Sequence, residues 1–241
     1  MLLRISKFSG AAFGALLALS SFGPSAWAGG DLAPDRPRSW TGPYIGIHAG
    51  WMQNDFDWAF NPGIPAAANQ AFELGKDTPI VGFHLGYQHQ FGQIVAGVEV
   101  AFNHTGDNNW ASHAGYGLGA GDAQAQLNDL LTVGVRLGWA PSSQWMVYVS
   151  GGYAQAQLRT RQFIVGPGFH SQEDHNGWYI GGGVDYALTR NIVFGIEYQH
   201  VSLGTELHCP PANVCTGDVN QHDLSSESDI IRARLTFKLS P

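Results

Sequence analysis

The chain has 241 residues, of which 32 are glycine, 12% are aromatic and only 13% are charged, well below the roughly 25% charge of an average soluble domain. Nineteen acids against twelve bases give a net charge of −7, which argues against a phosphate-neutralising surface and so against nucleic acid as a partner. Beyond the N-terminus, no run approaches the roughly 20 apolar residues that a membrane-spanning helix needs.

The chain opens with Arg4 and Lys7, an apolar stretch from Ala11 to Phe22, and Ser25-Ala26-Trp27-Ala28. A short basic region, a short apolar region and an A-x-A site read as a secretory signal peptide over residues 1–28, cleaved after Ala28. Cleavage removes two bases and leaves 10 against 19 acids, a net charge of −9. Residues 29–39 carry Pro and Asp without periodicity and read as a periplasmic lead, so the folded domain is expected over 40–241. Cys209 and Cys215 are the only cysteines. An even count in an exported chain predicts one disulfide between them, closing a small ring in an outer loop.

From Trp40 onward the sequence alternates with period two, the pattern of β-strands. Strand one sets Ile45, Ile47, Ala49 and Trp51 against Tyr44, Gly46, His48 and Gly50. Residues 53–79 read as a long polar loop. Strand two sets Val81, Phe83, Leu85 and Tyr87 against Gly82, His84, Gly86 and Gln88, and a tight turn at Gly92 leads to strand three, Ile94 to Asn103. A second long loop runs from His104 to about Gln126. Strand four carries Leu131 to Trp139, and Pro141 to Gln144 turn into strand five, Trp145 to about Arg159, with a bulge expected at Ser150-Gly151-Gly152. A third long loop reaches His175.

Residues 178–204 form the clearest hairpin. Trp178, Ile180, Val184 and Tyr186 share one parity, and after Thr189-Arg190-Asn191, Ile192, Phe194, Ile196 and Tyr198 share another. The opposite faces are small or charged, including Asp185 and Glu197. A fourth long loop, 205–226, precedes strand eight, Ser228 to Phe237. Connections therefore alternate long and short. A soluble sandwich gives no reason for that sorting, whereas an eight-stranded antiparallel up-and-down transmembrane β-barrel does: four long outer loops, short periplasmic turns, apolar residues toward lipid, and aromatic girdles at strand ends such as Trp51, Phe91, Trp139, Trp145 and Trp178.

The segments WTGPYIGIHAGW, GVEVAF, VRLGWAP, WYIGGGVDYAL and FGIEYQHVSLG, taken in this order, resemble the small outer-membrane β-barrel family of Gram-negative bacteria, which includes the outer-membrane immunogenic proteins and is related in architecture to OmpA-like barrels. The likeness spans essentially the whole mature chain. It implies a porin-family surface antigen in the cell outer membrane, and the partners expected are lipopolysaccharide, phospholipid and the outer-membrane assembly machinery, with a monomer favoured although the sequence does not set the oligomeric state. It brings no shared catalytic residues and no cofactor, although some relatives are reported to bind haem. Such barrels usually end on an aromatic residue, whereas this chain continues past Phe237 as Lys238-Leu239-Ser240-Pro241.

Three sets of residues could carry chemistry. Glu99, Arg136, Asp185, Glu197, Arg232 and Arg234 share the inward parity, and charges inside a narrow lumen must be paired. A salt-bridged plug is expected, with Glu99–Arg136 and Glu197 with Arg232 or Arg234 as neighbours, and Asp185 joining from the side of strand seven. Since eight strands leave room only for side chains, a conduit is not expected. Second, His104, His113, His170, His175, His208 and His222 map to outer loops, where solvated imidazoles are expected and haem or metal binding is the alternative. Third, His200-Val201-Ser202 at the outer end of strand seven, near Glu206 and Glu227, is similar to the His-x-Ser of outer-membrane lipid A deacylases, but lacks those enzymes' flanking residues. The favoured reading is a non-enzymatic barrel that stabilises the envelope.

Overall fold

The computed structural model describes residues 39–60, 71–106, 110–116, 121–163, 169–208 and 222–239. The expected signal peptide, most of the lead, and both Cys209 and Cys215 lie outside the described residues.

The described residues form nine strands: β1 (Gly42–Phe60), β2 (Ala71–Phe91), β3 (Ile94–His104), β4 (Ala111–Tyr116), β5 (Gly121–Trp139), β6 (Trp145–Phe163), β7 (Phe169–Ala187), β8 (Ile192–His208) and β9 (His222–Lys238). All pair antiparallel. Both β3 and β4 pair with β5, the first up to His104↔Asp129 and the second from Ala111↔Ala125. They are one interrupted member of the wall, and β9 pairs with β1. The sheet therefore closes into a ring of eight, which leaves no open edge in the membrane.

The ring is staggered. Cα partners run from Ile192 to Phe237, Ile45, Leu85, Val100, Val133, Tyr153 and Trp178, and arrive back on β8 at Ser202, a shift of 10 residues (202 − 192). With a rise of about 3.3 Å per residue and about 4.7 Å between strands, this stagger tilts the strands by about 40°.

Strand parity holds along β1, β2, β6, β7 and β9 and changes on β5 and β8 where their register shifts, between Leu127 and Leu130 and between Leu203 and Glu206, while the chemistry of the faces inverts. On β1, Ile45, Ile47 and Trp51 point outward and His48 inward. Four residues later, Asp55 and Asp57 point outward, while Met52, Phe56 and Trp58 are buried inside. The same change occurs between Val81 and Asp77, Leu131 and Asp129, Tyr153 and Gln155, Trp178 and Asn176, and Ile231 and Asp229. Outward residues are apolar where the solvent is lipid and polar where it is water. The apolar belt measured along β5 from Leu131 to Trp139 is about 20 Å tall at this tilt.

The strands are consequently longer than the periodicity of the belt predicts. The segment 53–79 expected as a loop contributes the outer ends of β1 and β2, and β4, β5, β7, β8 and β9 each extend into a segment read as loop. These extensions are held together by an interior cluster including Phe56, Trp58, Leu127, Leu158, Leu224 and Ile230. The bulge is also elsewhere. Ser150, Gly151 and Gly152 pair in regular register with Arg136, Val135 and Gly134, whereas the β5–β6 register shifts between Leu127 and Leu130. A glycine is needed at position 152 because a Cβ there would strike the Val133 carbonyl and the Gly134 backbone.

At the base, the residues after Phe237 are part of the wall. The Lys238 amide donates to Asn191 O at 2.8 Å, the Leu239 amide donates to Pro43 O at 2.9 Å, and the Lys238 ammonium donates to Ser39 O.

Candidate functional site: the filled lumen and the outer wall

Inward parity places Glu99 on β3, Arg136 on β5, Asp185 on β7, Glu197 on β8, and Arg232 and Arg234 on β9, all buried. Arg234 is the hub, with Nη2 donating to Glu99 Oε2 at 2.5 Å and Nη1 to Glu197 Oε2 at 2.6 Å. Arg232 grips the same Glu197 oxygen through Nε at 2.9 Å and Nη2 at 2.8 Å. Arg136 reaches Glu99 at 3.3 Å and Asp185 at 2.8 Å, and its guanidinium lies 3.8 Å over the Tyr148 ring. Asp185 therefore joins through Arg136, two strands away on the ring, rather than through its neighbour β8. Three guanidinium groups face three carboxylates, so the set is neutral, as a buried assembly in low dielectric must be.

A neutral hydrogen-bonded chain continues from it. Asn103 Oδ1 accepts from Arg232 Nη1 at 2.8 Å, while its Nδ2 donates to Leu130 O. His48 Nε2 lies 2.9 Å from that same oxygen and so donates, which leaves His48 Nδ1 to accept from His84 Nδ1 at 3.3 Å, and His84 Nε2 to accept from Thr236 Oγ1 at 2.9 Å. Each bond fixes the next tautomer. Glycines make the space: a Cβ on Gly46 would strike the His84 imidazole.

Below this plug, Trp40, Val95, Met146, Tyr148 and Val193 fill the periplasmic end. Above it lies the apolar interior of the outer extension, and above that a layer of rings. Trp58 stacks on His222 with centroids 3.8 Å apart, His222 stacks on His208 at 5.2 Å, and His208 Nε2 is 2.9 Å from His175 Nε2. His175, His208 and His222 are buried, on strands, not solvated in loops. His104 and His170 are exposed on β3 and β7, and His113 falls in β4. The signal for the buried layer is in the sequence: His222 shares the even, inward parity of Leu224, Ser226 and Ser228. Among the described residues, no group of three or more His, Cys, Asp or Glu side chains is set to hold a metal ion.

On the outer wall, His200 and Ser202 both take the outward parity. The carboxylate that meets His200 is Asp229, 2.9 Å from Nδ1 and also 2.6 Å from the Tyr198 hydroxyl, rather than Glu206 or Glu227. Ser202 sits opposite Trp178 and Glu227 in the ladders. Among the described residues no hydrogen bond joins it to His200.

Acids are densest on one side of the outer extension. Asp55, Asp57, Glu73, Asp77, Glu227 and Asp229 crowd β1 and its two neighbours. Partial burial, and then the Asp229, Glu73, Asp57 and Glu227 carboxylates, raise the pKa of Asp55. Arg159 and Arg161 project from β6, diametrically opposite on the ring.

Comparison with known proteins agrees with this architecture. The family model for the outer membrane protein beta-barrel domain matches residues 14–226. The 31 kDa outer-membrane immunogenic protein of Brucella melitensis is 31% identical over 182 residues, covering 71% of this chain and 75% of that protein. The 25 kDa outer-membrane immunogenic protein of Brucella ovis is 26% identical over 187 residues, covering 78% and 80%. Among solved structures, the outer membrane protein OprG of Pseudomonas aeruginosa overlays with a TM-score of 0.54 at 13% identity, covering 84% of this chain and all of that one. The outer membrane protease OmpT of Escherichia coli overlays at 0.50 with 7% identity, covering 84% and 97%. At such identities the overlays speak for the fold alone. A closed, lipid-belted ring with a charged plug, together with a family match over most of its length, makes this chain a member of the outer membrane protein beta-barrel family, resident in the cell outer membrane.

Proposed function

We propose that the protein is a sealed, non-enzymatic wall element of the outer membrane that stiffens the envelope and presents its outer strand ends and loops to the surroundings. The plug carries this reading: Glu99, Glu197 and Asp185 are each held by arginines, and packed side chains stand above and below them. An eight-stranded interior is just wide enough for such filling. The immunogenic relatives support surface presentation. Lipid is the partner of the apolar belt, and the ring closes on itself without a second copy, which favours a monomer. On the outer wall, the His200–Asp229 pair without a bound Ser202 supports a structural role for that pair.

The test is conductance in planar bilayers. The purified full chain is expected to give no steps above the lipid baseline, and a strain lacking it is expected to become detergent-sensitive. Sustained open-channel current from the wild-type protein would overturn the sealed-wall reading.

A further inference from the structure

One arginine on the outer extension is engaged differently from those in the lumen. Arg161 lies with its guanidinium 3.8 Å over the Trp110 ring, and its ladder partners Gln124 and His170 are neutral or weakly basic. Among the described residues it has no carboxylate partner. Arg159, one step lower on the same face, donates from Nε to Gln172 Oε1 at 2.8 Å. Trp110, Arg159, Arg161, His170 and Gln172 line one recess of about 300 Å³, a size suited to a single sugar unit.

We infer that this recess is a docking site for a phosphorylated sugar of the lipopolysaccharide core in the surrounding outer leaflet. Three features favour that occupant. Height is the first: Arg159 and Arg161 stand six and eight residues beyond Tyr153, which closes the apolar belt on β6, or about 15 and 20 Å above the belt at the strand tilt. The sugars of the outer leaflet, and not its acyl chains, meet the wall there. Charge is the second. Six acids crowd β1 and its neighbours, whereas the two arginines of β6 stand beside one outward acid of β7, Asp174, so phosphates meet less repulsion on the β6 side. Chemistry is the third. A flat guanidinium held on an indole keeps its edge available for bidentate contact with phosphate, and the Gln172 amide and His170 imidazole add hydrogen-bonding groups suited to hydroxyls. The site rests on the reading that the extended strand ends face outward.

The full chain, folded in detergent micelles, is titrated by calorimetry with released core oligosaccharide, either bearing its phosphates or after enzymatic dephosphorylation. Phosphorylated core is expected to bind, at least ten-fold more weakly after dephosphorylation and at least ten-fold more weakly to Arg159→Gln/Arg161→Gln. Asp55→Asn/Asp57→Asn is expected to bind as the wild type does. Equal binding by the arginine variant, or none by the wild type, overturns the site; binding of a soluble sulfated glycan but not of core moves it to another ligand and equally overturns it. Heat-modifiable mobility reports whether each variant is folded. Should the double variant fail to fold, Arg161→Lys decides, since it keeps the charge but loses the flat stack: wild-type affinity there overturns the inference, and a several-fold loss supports it. The micelle assay is indifferent to orientation, which protease added to intact cells reports separately.

Discussion

Arg234 and Glu99 meet at 2.5 Å across the lumen, although β1 and β2 lie between their strands on the ring. Because Arg234 also holds Glu197 at 2.6 Å, one side chain ties β9 to β3 and β8 at once. No ladder hydrogen bond spans that distance, so the contact braces the ring against flattening.

Replacing Arg234 with Met is therefore expected to leave two buried carboxylates short of a partner and to lower stability by about 3–5 kcal/mol. The companion cycle uses Arg136→Met and Glu99→Gln. Each single change is expected to destabilise, and the double change to recover part of the loss, because Glu99 then no longer needs a cation. The midpoint of urea unfolding, followed by the heat-modifiable band, measures all four proteins, and simple additivity would show that Glu99 and Arg136 are not coupled.

Acid should loosen the outer extension. His175 and His208 lie above the belt, and burial, the largest cause, holds both below the ordinary imidazole range. For His175 the Gly204 carbonyl, Glu206 and Asp174 partly oppose this, and for His208 the imidazoles of His222 and His175 reinforce it. The unfolded chain takes up these protons near its ordinary value of 6.5, while the folded chain does not, so stability is present above that pH and falls below it. The slope is about 1.4 kcal/mol per pH unit for each histidine that stays neutral. Unfolding midpoints at pH 7.5 and 5.5 are expected to differ less in His175→Gln/His208→Gln than in the wild type.

The belt was the legible part of this sequence. Ile45, Val135, Ile180 and Phe237 announce it because lipid demands outward apolar residues at every second position. The inward parity of Glu99, Arg136 and Glu197 follows from the same alternation. The outer extension was not legible as strand because its alternation runs in the opposite sense. In Met52-Gln53-Asn54-Asp55-Phe56-Asp57-Trp58 the period is still two, yet the apolar residues have changed sides, and polarity alone suggests a loop. The partnership of Asp185 with Arg136 was likewise out of reach, since it crosses the lumen and depends on the stagger of the ring rather than on sequence neighbours. Asp229 was not legible either, because the acid that meets His200 comes from the next strand in register, not from the nearest residue in sequence.

The interior of the extension is expected to behave as a core. Phe56 and Leu224 are 1% and 0% exposed, and truncation of either to alanine should cost about 2–5 kcal/mol. Since this part stands outside the membrane, the loss should appear locally. Protease added to intact cells is expected to cut Phe56→Ala and Leu224→Ala faster than wild type, while the membrane-embedded half keeps its heat-modifiable mobility. Unchanged protease resistance would mean that the extension is held by its backbone ladders rather than by its core.

The inversion of the two faces sets the position of the membrane boundary, and substitutions on either side of it should differ sharply. Val135 is 62% exposed in the middle of the belt, where an outward arginine costs about 2–4 kcal/mol. Asp57 occupies the same outward face of β1, six residues beyond Trp51, in water. Val135→Arg is thus expected to lower the unfolding midpoint and reduce the yield of inserted protein, whereas Asp57→Arg should leave both nearly unchanged, and should even relieve the crowding of acids around Asp55. Gln53, at the first outward position beyond Trp51, should give an intermediate cost as Gln53→Arg. If Val135→Arg and Asp57→Arg were equally tolerated in bilayers, the apolar belt would not be the lipid-facing surface, and the boundary drawn at Trp51, Tyr153, Trp178 and Ile231 would be misplaced.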